Sequence, residues 1–242
     1  MPAFNSEKYI KNSIESVLNQ TYKNIELIVI DDGSSDKTID IIEKFQLLDK
    51  RLILIKNNSN LGVAKSRNIG VKNSKGRFIA FLDSDDLWDS KKLEIQIKLM
   101  LTNNWSFTYT LYRMIDHKGN IIKNIKAPKK LNYADLLKTC YIGCLTAVYD
   151  TEVFGRFLMP TSNQREDYLT WLQLLKIIPH AFRVSNIPLA SYRIHPHQSS
   201  RKKLSMAMEN WKIYKNIENL GTARAIYYFL CYATNGLIRK YF

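Results

Sequence analysis

Four short runs in this 242-residue chain hold side chains able to do chemistry. The first, Asp83-Ser84-Asp85-Asp86, follows the apolar run FIAFL (78–82). Carboxylates two residues apart in a turn after a strand can converge on one divalent cation. Such hard oxygen ligands suit Mg²⁺ or Mn²⁺, which then bridges to phosphate oxygens. The same acids could equally form a solvated turn before the next helix, and at the level of the residues both readings stand. The second run is Asp31-Asp32-Gly33-Ser34. An acid there can accept from a base N–H or a ribose hydroxyl, or belong to a plain turn with Gly33 at positive φ. The third is Arg165-Glu166-Asp167-Tyr168. Acids in a helix's first turn suit its dipole, and one of them can also serve as a general base. The fourth, Tyr192-Arg193-Ile194-His195-Pro196-His197, offers imidazoles that clamp phosphate, ligate metal or simply pack.

These runs need a frame, and the apolar periodicity supplies one. Residues 6–20 read as a helix with Ile10, Ile14, Val17 and Leu18 on one face. IELIVI (25–30) reads as a buried strand, 35–45 as a helix capped by Ser35, and 52–55 as a strand. Asn60-Leu61-Gly62 is a turn, 64–73 a helix and 78–82 a strand, after which Ser90 caps a helix carrying Leu93, Ile97, Met100 and Leu101. This alternation predicts an α/β layer with a mostly parallel sheet flanked by helices, whose ligands bind beyond the carboxyl ends of the strands. Both acid clusters stand at such ends. The second half is less regular: strands at 106–114, 121–125 and 145–149, a helix at 167–176, an extended piece at 189–194, and helices at 205–219 and 222–242.

Hydrophobic residues at 45% exclude a disordered chain. Lys and Arg outnumber Asp and Glu by 36 to 22, a net +14 that favours anionic partners without choosing among phosphates, acidic lipids and nucleic acid. Three cysteines without a CxxC pair predict neither disulfide framework nor zinc site. With no signal-peptide pattern and no apolar run of ~18 residues, the reading is a cytoplasmic protein that does not span the bilayer. The tail 201–242 carries eight Lys/Arg against Glu209 and Glu218. Its uncharged interval, 225–238, is 14 residues, about 21 Å of helix, and holds Tyr227, Tyr228 and Tyr232, with Tyr241 beyond it. A bilayer core of ~30 Å is too thick for it, so the expectation is docking on an anionic membrane surface.

Taken in order, PAFN (2–5), SVLNQTY (16–22), ELIVIDDGSSD (26–36), NLGVAKSRNIG (60–70), GRFIAFLDSDDLW (76–88), ED (166–167) and YRIH (192–195) resemble glycosyltransferase family 2, and among its members bacterial enzymes of teichuronic acid, capsule and O-antigen synthesis. The resemblance implies a GT-A fold over residues 1–200, a basic, aromatic helical segment over 201–242, and C-terminal helices. It divides the domain into a nucleotide-sugar-binding half (1–100) and an acceptor-binding half (101–200). It further implies inverting transfer of a hexose from a nucleotide diphosphate donor, UDP-linked by the position of Asp32, to a lipid-linked saccharide hydroxyl at the inner face of the cell membrane, with Mn²⁺ or Mg²⁺ and no nucleic acid.

Residue by residue, the resemblance puts Phe4 against the base, with Pro2 and Ser84 also among the nucleotide-sugar contacts. Asp32 accepts from uracil N3–H, Arg67 lies on the diphosphate side, and Asp83 approaches the ribose. Asp85 ligates the cation, with His195 as a further metal or phosphate position, Arg193 beside it and Glu166 near substrate. Asp167 is the base. Family members usually carry an apolar strand of the type VSVI before PAFN. Here Met1-Pro2 stands at that point, so the first strand is expected to be missing. Rival readings fit less well. A haloacid-dehalogenase-type phosphatase needs Thr or Val where Leu87 stands, and a sugar-nucleotide pyrophosphorylase needs a glycine-rich opening loop. A non-catalytic basic module for acidic polymers or nucleic acid leaves the acid clusters unexplained.

Overall fold

The computed structural model describes residues 1–161, 165–195 and 203–241. A parallel sheet in the order β1-β2-β3 joins β1 (Pro2–Ala3), β2 (Leu27–Asp31) and β3 (Leu52–Lys56). Its connections are helical: α1 (Ile10–Leu18), α2 (Thr38–Leu48), and α3 (Val63–Asn73), which packs on β2. Every residue of β2 is buried, as the apolar run requires.

The second sheet is mixed rather than parallel. It runs β4 (Phe78–Ala80), β9 (Val148–Asp150), β6 (Phe107–Ile115), β10 (Ala181–Arg193), β5 (Leu87–Trp88), with β7 (Ile121–Ile125) on β6 and β8 (Lys130–Leu131) on β10. Among the described residues only β6–β10 is parallel there, because hairpins and returning strands replace helical crossovers. The sequence reads only 189–194 of β10 as extended. The strand instead tolerates Pro188 at a register shift against β6. Helices α4 (Lys92–Asn103), α5 (Tyr133–Lys138), α6 (Thr151–Phe154), α7 (Glu166–Ile177), α8 (Lys203–Lys212) and α9 (Thr222–Tyr241) complete the chain, with a π turn at Ile213–Ile217.

Two expected helix caps are corrected. Ser35 does not cap α2: its N–H donates to Asn5 Oδ1, and Asp36 Oδ1 accepts from Thr38 N instead. Ser90 does not cap α4: the Leu93 N–H donates to Gln20 Oε1, so a distant amide satisfies that helix start.

A two-residue strand stands at the edge of the first sheet. Pro2–Ala3 pairs with Ile30 and Asp31, and the Met1 nitrogen donates to Ile28 O at 2.8 Å. Burial pushes that terminal amine down to about 5. Beside it a cavity of about 650 Å³, lined by Leu27, Ile28, Val71, Ile79 and Phe81, separates β2 from β4. An extension of about six β-branched residues before Met1 is expected to fill it and raise Tm on the order of 5 °C. An unchanged melting curve would contradict that.

Lys92 is fully buried, its Nζ has no hydrogen-bond partner among the described residues, and it lies 4.1 Å from the centroid of the Trp88 ring. Burial lowers its pKa from 10.5 to about 7. Because this folded-state value lies below the unfolded one, the unfolded chain binds the extra proton between about pH 7 and 10.5, and stability rises with pH across that window. Lys92→Met is therefore expected to be more stable than wild type at pH 7, on the order of 2 kcal/mol, with the gap closing towards pH 10. Urea unfolding at both pH values measures this, and a gap that widens with pH contradicts it.

Candidate active site

The site lies where the carboxyl ends of β2 and β4 meet the start of α7. At the end of β2, Asp31 Oδ2 accepts from the N–H groups of Gly33 and Ser34. Gly33 has φ +80°, and a Cβ there would come within 3.2 Å of Ser59 and Asn60 backbone, so only glycine fits this turn comfortably. Asp32 is buried and accepts from Asn57 Nδ2, Leu61 N and Gly62 N. Burial works to raise its pKa, but these bonds outweigh that and hold the carboxyl below its usual range. Asp32 thus holds the 57–62 loop against the sheet. Beside it Phe4 is half exposed, whereas Pro2 is buried within β1.

The loop after β4 gathers three carboxylates. Burial and then the neighbouring Asp83 push the Asp85 carboxyl up. Asp86, fully buried beside both, is pushed well up by burial and then by Asp85 and Asp83. Asp86 Oδ1 accepts from Arg193 N at 2.8 Å, and Arg193 Nε donates to Asp85 O at 2.9 Å, so the end of β10 is stitched to this loop. Asp85 Oδ2 lies 2.9 Å from His195 Nε2, both side chains about one quarter exposed. Ser84 is buried, its hydroxyl 2.7 Å from that of Ser6 and its carbonyl accepting from Ser13 Oγ.

These donors suit a divalent cation. Crowded carboxylates raise one another's pKa, a charge imbalance that a cation relieves, and carboxylate plus imidazole is a set first-row divalent ions accept. Among the described residues no group of three His, Cys, Asp or Glu side chains is arranged around a metal. Asp85 and His195 would offer such an ion one carboxylate oxygen and one imidazole nitrogen.

Arg67 joins the halves of the site. Its side chain is 5% exposed; Nη2 donates to Asp83 Oδ1 at 2.6 Å and Nη1 to Glu166 Oε1 at 2.8 Å. Burial alone would lower its pKa, but Asp83 and Glu166 are among the groups that keep it well above the ordinary value. The guanidinium is thus committed to carboxylates. Burial raises the Glu166 carboxyl, with Arg67 opposing. Asp167, one residue on in the first turn of α7, is partly exposed, and its Oδ1 accepts from Tyr168 N. Arg67→Met strands a buried carboxylate and is expected to cost about 3–5 kcal/mol of stability. Chemical denaturation checks this, and an unchanged midpoint contradicts it.

All eleven residues singled out from the sequence fall in the described part of the chain; Pro196 and His197 lie outside it. Arg67 joins Asp83 to Glu166, Asp85 contacts His195 and Arg193, and the two groups share the 83–86 loop, while Pro2 and Asp32 hold the strand end beside them. Sequence reasoning missed Tyr9, whose ring stacks on His195 at 6.2 Å and lies 4.7 Å from the Arg193 guanidinium. An aromatic so close after PAFN was the available signal. Asp86, which the sequence assigns to the turn that follows, has its partner in Arg193 N at the end of β10.

The profile of Glycosyl transferase family 2 matches residues 1–158. TuaG of Bacillus subtilis (strain 168), whose name places it in teichuronic acid biosynthesis, is 37% identical over 240 residues, 99% of this chain and 95% of that one. The Escherichia coli protein WfgD, named as a UDP-Glc:alpha-D-GlcNAc-diphosphoundecaprenol beta-1,3-glucosyltransferase, is 40% identical over 242 residues, 100% and 94% of the two chains. In structure, S. aureus TarS 1–349 in complex with UDP-GlcNAc superposes with a TM-score of 0.72 at 20% identity, over 94% of this chain and 68% of that one. That likeness shows the GT-A-like fold. On the profile match and the near full-length relatives together, the chain belongs to glycosyl transferase family 2 and is a glycosyltransferase.

Proposed function

We propose that this enzyme transfers a hexose from a UDP-sugar to a hydroxyl of a lipid-linked saccharide, with inversion at the anomeric carbon, at the inner face of the cell membrane. The observation that carries the reading is the buried Asp83–Arg67–Glu166 bridge, which ties the loop after β4 to the start of α7. In this reading Asp32 and Phe4 face the nucleobase, and Asp83 and Ser84 lie on the ribose side. Asp85 and His195 would hold a Mn²⁺ or Mg²⁺ ion, whose chemistry when bound is to stabilise negative charge on a leaving diphosphate. Arg67 sets the spacing of Asp83 and Glu166. Asp167 takes the acceptor hydroxyl proton while that oxygen attacks from the face opposite the leaving group. A single displacement needs no protein nucleophile.

The acceptor class is supported by WfgD, whose name specifies a diphosphoundecaprenol-linked GlcNAc. The same lipid linkage supports a peripheral membrane position. No helix among the described residues is long and apolar enough to cross a bilayer. Tyr228 and Tyr232 of α9, read from the sequence as interface anchors, turn towards the protein: Tyr228 packs on the core and Tyr232 accepts from Arg165 Nη1. Ile226, Tyr227 and Leu230 remain exposed on the other side of α9. Arg201 and Lys202 and the side chains of Lys203, Arg239, Lys240 and Tyr241 lie outside the described residues.

The test is a panel of UDP-, GDP- and dTDP-hexoses offered with Mn²⁺ to GlcNAc- and GalNAc-pyrophosphoryl lipid acceptors, with products resolved by mass spectrometry. Transfer from a UDP-hexose is the expected result. Transfer from GDP- or dTDP-sugars alone, or from none, contradicts the reading.

A further inference from the structure

We infer that the tip of the β6–β7 hairpin, Asp116 to Ile122, is an insertion element that seats the enzyme on an anionic lipid bilayer beside its active site. The inference rests on the lipid-linked acceptor of the proposed function only for its purpose; the physical argument is independent. β7 pairs with β6 and with no other strand among the described residues, so the hairpin projects from the sheet. Its turn is rigidly built. Asp116 Oδ1 accepts from Lys118 N and Asn120 N, Oδ2 accepts from Asn120 Nδ2, and Gly119 takes φ +93°. Those bonds hold the Asp116 carboxyl at about 2.

The two residues after the turn are Ile121 and Ile122, 60% and 57% exposed. Successive side chains of a strand point to opposite faces. A hairpin lying flat on a protein partner, or packed by one face on a second copy, would need only one of them apolar. Exposure of both means that the tip is apolar on each side, which suits insertion into a medium that surrounds it.

Charge complementarity selects the medium. Residues 116–130 hold Lys118, Lys123, Lys126, Lys129 and Lys130 against Asp116 alone, whose charge the turn already satisfies. Basic residues flanking an apolar tip match acidic headgroups around an acyl layer. The base of the hairpin is fixed to the site: Arg193 Nη1 donates to Asp116 O at 3.1 Å, Ile194 N to Ile115 O at 2.8 Å, and Arg193 Nε to Asp85 O. A bilayer at the tip is therefore held at a fixed offset from Asp85, where a lipid-borne acceptor can reach.

The experiment is co-sedimentation of the full chain with phosphatidylcholine vesicles, with and without phosphatidylglycerol. Wild type, Ile121→Ser/Ile122→Ser and, as a control on α9, Ile226→Ser/Leu230→Ser are compared, with melting curves and gel-filtration mass for each. Wild type is expected to partition onto phosphatidylglycerol vesicles and to be released by salt. The hairpin variant is expected to lose at least about tenfold in partitioning, while its melting curve and its turnover on a water-soluble saccharide acceptor are unchanged. Equal partitioning of wild type and the hairpin variant overturns the inference, as does loss confined to the α9 variant. Absence of wild-type partitioning overturns it too, and so does a dimer that the hairpin variant breaks. Turnover on the soluble acceptor reports on the proposed transfer separately, so the two can fail independently.

Discussion

Asp167→Asn is expected to lower kcat by about 10²–10⁴-fold, the range for a lost general base, with donor affinity nearly unchanged. The two acids that open α7 are chemically alike but differently placed. Glu166 is buried and spent on Arg67, so it is poorly placed to take a proton from an incoming hydroxyl. Asp167 is the more open of the two, and its Oδ1 bond to Tyr168 N orients the carboxylate without consuming it. Asparagine keeps the shape and the hydrogen-bond acceptor while removing the basicity, so folding should survive. Glu166→Gln weakens the bridge to Arg67 and is expected to lower Tm and cost less in turnover. Steady-state kinetics and UDP titration of both variants separate the roles. Normal turnover in Asp167→Asn with a dead Glu166→Gln would reverse them.

Asp85→Asn is expected to abolish the gain in UDP affinity that Mn²⁺ gives wild type. The carboxylate removed is the one that faces His195; burial and then Asp83 push its pKa up, a repulsion that a cation would relieve. Asp86→Asn makes the contrast. Burial and its two acidic neighbours already drive the Asp86 carboxyl well up, and its work is to accept from Arg193 N, which an amide oxygen also does. Calorimetric titration of UDP with and without Mn²⁺ should show the cation effect lost in Asp85→Asn and largely kept in Asp86→Asn. An equal cation effect in Asp85→Asn and wild type would sink the metal assignment.

The first half of the fold was legible because its strands are short β-branched runs buried on both faces and its helices carry one apolar stripe. Caps were misread where a tertiary partner replaced the local one, as Gln20 does for α4. Periodicity also hid the first part of β10, which carries Pro188 at a register shift against β6. Each acid of the site could be found by type and position after a strand. What one-dimensional spacing does not carry is which acids share a partner. Arg67 bridges residues 16 and 99 positions away, a link that only the folded chain makes. Tyr9 was passed over for the same reason, because its ring partners come from the far end of the domain.

The proposed transfer is a single in-line displacement with Asp167 as base, and the anomeric configuration of the product reports on it most directly. With an α-linked UDP-hexose as donor, proton NMR of the purified product is predicted to show a β-glycosidic linkage alone. An α-linked product would mean retention at the anomeric carbon and would contradict a single displacement.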